Sequence, residues 1–333
     1  LLYQNISANF AETVSTGISM TRLTLFFFLV YSPVTLLAQE TWQFLQLPIN
    51  AKQAAVSGST AIYSKESDAF IGNPSFIGNA KSNELILSYS SYLAGIKTGS
   101  SIFSTDIPYV GKTGFSVLYT NYGAFTKTDV LANKLGDFTA NDLVIGASFA
   151  YDVTDSIPVG ATVKWVSSYI ESYSSYGMAV DIGSRYYLDD TGWLFTAVLK
   201  NAGKQFKGYR ISESLPTVFN IGAFKTLKYI PLSFGIEAEG LNKFSDQKGS
   251  VVDYLIISAM MRANQSLTLF ASSHLGHRNE LKSTGGIDLS GINFGANLNL
   301  KSFSITYAYS NMGIIEGIHR IDFGINLGKY LSN

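Results

Sequence analysis

From about Glu84 to Gly328 the chain runs through segments in which apolar and polar positions alternate. Leu143, Ile145, Ala147, Phe149 and Tyr151 fall on one side of such a segment, and Asp142, Gly146, Ser148 and Asp152 on the other. Side chains of a strand point to opposite faces with period two, so each segment has one greasy face and one wet face. The pattern predicts fourteen strands, at 84–92, 96–107, 112–122, 141–153, 157–171, 175–189, 192–203, 216–227, 231–241, 251–263, 266–274, 285–299, 302–312 and 316–328. Their connections alternate in length. Those around Tyr109, Thr154-Asp155-Ser156, Asp190-Thr191, Leu227-Lys228-Tyr229, Asn264-Gln265 and Lys301 are short, whereas 123–140, 204–215, 242–250 and 275–284 are long. A soluble sandwich has no reason to sort its loops by parity, but outer-membrane barrels join strands by short periplasmic turns and longer external loops. The expected fold is all-β: a closed transmembrane antiparallel barrel.

The alternation also assigns faces. With Val159, Ala161, Val163 and Trp165 toward lipid, Lys164 points inward; Asp181 and Arg185 alternate in the same way with Met178, Val180, Ile182 and Tyr186. Ile321, Phe323, Ile325 and Leu327 leave Arg320, Asp322 and Asn326 in the lumen. Lys or Arg on the lipid face costs about 2–4 kcal/mol near the midplane, and this placement avoids it. In 285–299 the parity slips between Ile287/Leu289 and Phe294/Ala296/Leu298, which predicts a bulge near Gly291.

Composition points the same way. Charged residues make up 14% of the chain, against a typical quarter, and aromatics also reach 14%. Lipid contact replaces a charged surface, and Tyr, Trp and Phe supply interfacial girdles. Lys plus Arg equals Asp plus Glu at 24 each, so charge gives no sign of nucleic-acid binding. Ahead of the strands, Met20-Thr21-Arg22 precedes an apolar run from Leu23 to Leu37 and then Ala38-Gln39, the pattern of a signal peptide over 20–39 cleaved near Ala38/Gln39. Residues 1–19 lie upstream of that basic start and are expected to be an extension outside the mature protein. The chain has no Cys, which excludes disulfides and lipid attachment to cysteine.

Residues 40–83 do not share the strand rhythm, yet they are too apolar for a free tail. Within them Phe44-Leu45, Leu47-Pro48, Ala51, Ala54-Ala55, Gly58, Asp68 and Asn73-Pro74 occur in an order that resembles the PorV/PorQ family of type IX secretion barrels, itself part of the wider FadL-like group. The resemblance extends through 89–96, 120–125, 138–142, 174–176, Leu199-Lys200-Asn201-Ala202-Gly203, Leu215-Pro216, Tyr307-Ala308-Tyr309 and His319-Arg320. Leu47-Pro48 is closer to the PorQ-type pattern than to the PorV-type one. Ser75 after Asn73-Pro74, and Ser57 before Gly58, depart from the usual residues. The resemblance implies that 40–83 is a hatch that plugs the lumen of the barrel over 84–333. Phe44, Leu45, Leu47, Pro48, Asp68, Phe70, Asn73, Pro74 and Phe76 would be its working residues. It also implies a noncatalytic role beside a PorZ-like protein, near PorV and the sortase-like PorU, at a surface rich in lipopolysaccharide.

The residues themselves offer no reaction centre. His274 and His277 have a ligand-like spacing, but a zinc site usually takes three or four protein ligands, and only His319 remains. Ser272 and His274 share a strand face without a recognisable orienting acid. No metal, cofactor or catalytic site is expected. A partner surface of about 800 Å² per side would need the long loops, with Phe125, Phe138, Phe206, Tyr209 and Phe244 as aromatic anchors. FadL-like transport of hydrophobic molecules and a PorV-like cargo shuttle are the alternative functions.

Overall fold

The computed structural model describes residues 40–60, 62–154, 156–188, 191–244, 250–281, 290–300, 302–313 and 317–328. The expected leader, Asp155, Asp190, Ile287, Leu289, Lys301 and parts of the loops 242–250 and 275–284 lie outside the described residues.

Fourteen strands form one closed antiparallel barrel: β1 Glu84–Ser91, β2 Lys97–Ile107, β3 Gly111–Thr128, β4 Lys134–Thr154, β5 Ile157–Ile170, β6 Tyr173–Leu188, β7 Trp193–Lys207, β8 Val218–Thr226, β9 Leu232–Ala238, β10 Leu255–Arg262, β11 Leu267–His274, β12 Ile292–Asn299, β13 Phe303–Ser310 and β14 Ile318–Asn326. Each strand pairs with its neighbours in sequence, and β1 closes on β14 from Glu84↔Asn326 to Ser91↔His319. Closure leaves no sheet edge, the condition for crossing a bilayer with strands. Along β4 the exposure alternates as the sequence pattern requires: Ile145 is 46% exposed and Phe149 47%, while Asp142 is 4% and Ser148 1%.

The structure differs from the sequence reading at four connections. The segment 123–140 is not a long loop but the continuation of β3 and β4 into a two-stranded arm that turns at 129–133. Polar Thr and Lys residues hid that arm, because a hairpin wet on both faces carries no alternation. β7 continues to Lys207, which moves the start of the 204–215 loop. The helix Leu275–Leu281 follows β11 directly. β12 starts only at Ile292, after Gly291 at φ 71°, so Gly291 is a turn residue ahead of the strand rather than a bulge inside it.

Candidate functional site: the plug and the mouth

Residues 40–83 occupy the interior. They enter at the long-loop end, where Thr41 N donates to Ser214 O at 2.9 Å and Glu40 pairs with Lys243 at 2.6 Å. They leave at the short-turn end, where Ser104 Oγ donates to Lys81 O at 2.7 Å just before β1 begins. Between these points the described residues make a short helix, Ala51–Ala55, and isolated turns of 3-10 helix. Asn50 caps the helix by accepting from Gln53 N at 2.9 Å.

The helix packs on β11–β14. Ala51, Ala54 and Ala55 join Phe270, Met260 and Ala308 in one buried cluster, and small side chains let the helix approach the wall closely. Nearby, Asp322 of β14 accepts from Ala51 N with both oxygens at 2.9 and 3.0 Å. Glu237 of β9 holds the next stretch, accepting from Thr60 N at 2.7 Å. Ser272 Oγ donates to Ala55 O at 2.8 Å, so it belongs to this set of plug contacts.

On the opposite side the plug sits on glycine. Gly160 of β5 and Gly183 of β6 are register partners. A Cβ on Gly160 would overlap Pro74 and Ser75, and one on Gly183 would overlap the Asn73 side chain. Asn73 accepts from Ser75 N at 3.0 Å, and its Nδ2 donates to Ser184 O at 3.2 Å and Ala197 O at 3.4 Å. This is a short-range Asx turn locked by a following proline, docked on a flat patch of wall. Sequence reasoning found Asn73-Pro74 but not its seat. Two glycines interrupting adjacent strands at inward positions were the available signal.

The plug also carries its own buried charges. Lys52 is 3.1 Å from Asp68 and 3.4 Å from Glu66, and Arg262 of β10 lies 3.8 Å from Glu66. Burial alone would lower Lys52, but Asp68 and Glu66 outweigh it and hold the ammonium above its ordinary value. Burial would raise Glu66, yet Lys52, Arg262 and Lys81 together keep it below the usual carboxylate range.

Phe44, Asp68, Phe70, Asn73, Pro74 and Phe76 are buried, Leu45 and Pro48 are half-buried, and Leu47 is exposed. Lys164 and Asp181 face inward as an ion pair at 2.6 Å. Arg185 covers the Phe76 ring at 4.9 Å, and Arg320 covers Tyr92 at the same distance while donating to its hydroxyl.

The candidate partner anchors do not form one surface. Tyr209 turns into the mouth and bonds Ser168 Oγ, beside Asp142 and Tyr122, so it is spent on the barrel rather than presented outward. Phe206 lies on the outer wall against Trp165, and Phe244 packs edge-on to Tyr254. Phe125 and Phe138 stack on the arm with centroids 5.3 Å apart. The arm tip leaves Val130 at 101% and Leu131 at 79% exposure. His274 meets Glu239 at 3.3 Å, an acid the sequence did not point to, but Ser272 is engaged with the plug.

No family model matches the sequence, and no curated protein matches it. Solved structures do. The deltaS2S3 mutant of the TodX monoaromatic hydrocarbon channel aligns with a TM-score of 0.54 at 12% identity, covering 83% of this chain and 98% of that one. The TodX deltaS2 mutant gives 0.52 at 13%, covering 85% and 98%. A FadL homologue of Pseudomonas aeruginosa gives 0.50 at 10%, covering 84% and 99%. The chain has the FadL-type outer-membrane barrel fold. An apolar outer face closed through fourteen strands, together with these neighbours, places it in the outer membrane. At such identities the likeness carries the fold and leaves the function to the site.

Proposed function

We propose that this FadL-type barrel is a plugged, noncatalytic outer-membrane scaffold. In the finer form suggested by its resemblance to the PorV/PorQ family, it is a PorQ-like component of the type IX attachment machinery that holds a PorZ-like protein near PorV and the sortase-like PorU. The observation that carries this reading is the fixing of the plug. It is bonded to β9 and β14 on one side, seated on β5 and β6 on the other, and tied at both ends of the barrel. A segment held by buried bonds to the Asp322 and Glu237 carboxylates on one wall and packed onto glycine on another suits a static support better than a gate.

The partner surface in this reading is the β3–β4 arm. Its last pairing with β5 is Ala140↔Ile170, so both arm strands continue beyond the rim, and two aliphatic side chains at the tip stand in water. Replacing 129–133 by a Gly/Ser turn in the native host should abolish co-purification of the PorZ-like protein while the barrel stays assembled. Undiminished recovery of that protein would reject the arm as its docking surface.

The structural neighbours favour a second reading, passage of small hydrophobic molecules, since TodX is a monoaromatic hydrocarbon channel. A pocket at the short-turn end, lined by Ile62, Tyr187, Leu194, Phe224 and Met260 together with Lys65 and Arg262, gives that reading a place to start. Uptake of a monoaromatic probe into liposomes carrying the intact barrel, above that of empty liposomes, would favour transport over the scaffold.

A further inference from the structure

Outside the arm, the outward positions of the described strands carry almost no charge. Lys97 and His319 stand near the long-loop rim, and Lys225 stands near the short turns against Trp193. The exception is β7, where Lys204 and Lys207 both face outward.

Lys204 is on the lipid side because the wall is bulged. Val180 pairs with Ala202 and Ile182 with Leu199, so Lys200 and Asn201 together oppose Asp181. Asn201 takes a left-handed φ of 58°, and its N–H donates to Asp181 at 2.8 Å. One extra residue reverses the alternation. Before the bulge the odd residues Phe195 and Leu199 face out; after it Lys204 does, opposite Met178, which is opposite Trp165, which is opposite Ile145. Without the bulge Lys204 would point into the lumen. A second irregularity at Tyr176/Gly177 then sets Lys207 opposite Tyr176, with Phe206 against Trp165.

Lys204 lies four residues beyond Lys200, the last β7 residue paired with β8, and is held only by β6 through Met178. It therefore stands at the long-loop rim beside Trp165, Tyr176 and Phe206, and no carboxylate of the described residues pairs with it. A cation in the lipid band is costly unless it meets an anion or reaches the headgroups. Lys207, held by Ser174 Oγ at 2.7 Å, continues the positive charge upward along the same strand.

We propose that Lys204 and Lys207 bind the phosphate of an anionic lipid in the external leaflet, lipid A chemistry being the fit, with Trp165, Met178 and Phe206 as the shelf for its sugar and first acyl carbons. The lipid is the source of the phosphate because Lys204 opens to the bilayer and not to the lumen. The bulge is then the device that delivers the cation to the lipid face.

The test uses the intact barrel with its plug, stripped in detergent and offered either lipid A or the same lipid A after removal of its phosphates, with bound lipid counted by native mass spectrometry. Wild type should retain the phosphorylated form about tenfold better, the scale of one charge-assisted contact. Lys204→Met with Lys207→Met should erase that preference, Lys204→Arg should keep it, and Lys225→Met at the other rim should leave it unchanged. Assembly is read from heat-dependent gel mobility, and methionine on a lipid-facing strand should not impair it. Equal retention of both lipids by wild type, or an unchanged preference in the double variant, would overturn the proposal.

Discussion

The wall and the plug solve the same problem in opposite ways. The wall pairs its backbone strand to strand around a closed ring and turns its apolar side chains outward. The plug has little regular structure of its own, and many of its fixed donors and acceptors are satisfied by the wall: Ala51 by Asp322, Thr60 by Glu237, the Asn73 side chain by Ser184 and Ala197, and the Ile49 carbonyl by Ser100. The wall's ladder is complete without the plug, whereas these bonds of the plug exist only inside the wall. The hydrophobic interior follows the same logic, since Ala51, Ala54, Ala55, Phe70, Phe76 and Ile77 bring to the centre what the strands have turned toward lipid.

That asymmetry is broken most completely by removing 40–83. The barrel should still assemble, because all fourteen strand pairings lie outside the segment, and single-channel conductance should rise from near zero to that of an open pore. Equal conductance with and without the segment would sink the plug assignment. Next in size is the glycine seat. Gly160→Val places branched carbons where Pro74 now lies, and Gly183→Val does the same against Asn73. Each should expel or tilt the Asn73-Pro74 turn, giving new protease sensitivity within 62–83 at unchanged barrel mobility; full protection would show that the seat can yield.

Phe76→Ala should be milder. It empties a fully buried site beneath Arg185, and comparable truncations cost about 3–5 kcal/mol, to be read as a lower urea midpoint for plug release than for barrel unfolding. Asp322→Ala leaves Ala51 N–H buried without its acceptor and should cost about 1–3 kcal/mol in the same measurement. If either variant lowered barrel unfolding as much as plug release, the two would be one cooperative unit.

The same contrast explains what could be read from the sequence. A wall strand writes its environment with period two, so Phe149 and Ser148 declare their faces without reference to anything distant, and the strand positions emerge from that alone. The arm escaped because Thr126, Lys127 and Thr128 meet water on both faces. β7 past Gly203 escaped because the bulge at Asn201 reverses parity without a proline or other breaker to announce it. In the plug, burial comes from all directions, so no period exists to detect. Asn73-Pro74 was visible as a turn, whereas the pairing of Gly160 with Gly183 depends on a register that only the folded sheet defines. Tyr209 was misplaced because an aromatic in a long loop looks the same whether it folds inward or outward.

The gentlest way to separate plug from wall is pH. Glu66 is held below the ordinary carboxylate range against its own burial by Lys52, Arg262 and Lys81. A carboxylate with a depressed folded value contributes stability that is present above its unfolded value, near pH 4.3, and is lost as pH falls through the folded one. Lys52 is raised by Asp68 and Glu66, so its contribution is full below about pH 10.4 and is lost only as pH climbs through the higher folded value. The contribution of the Lys52–Glu66 pair should therefore be constant from about pH 5 to 10 and be lost on the acid side first. Lys52→Met tests the cause: without the ammonium, Glu66 loses its largest opposing charge, so protection should be lower at neutral pH and the loss on acidification smaller. An acid profile of wild-type steepness in Lys52→Met would assign the transition to carboxylates of the wall instead.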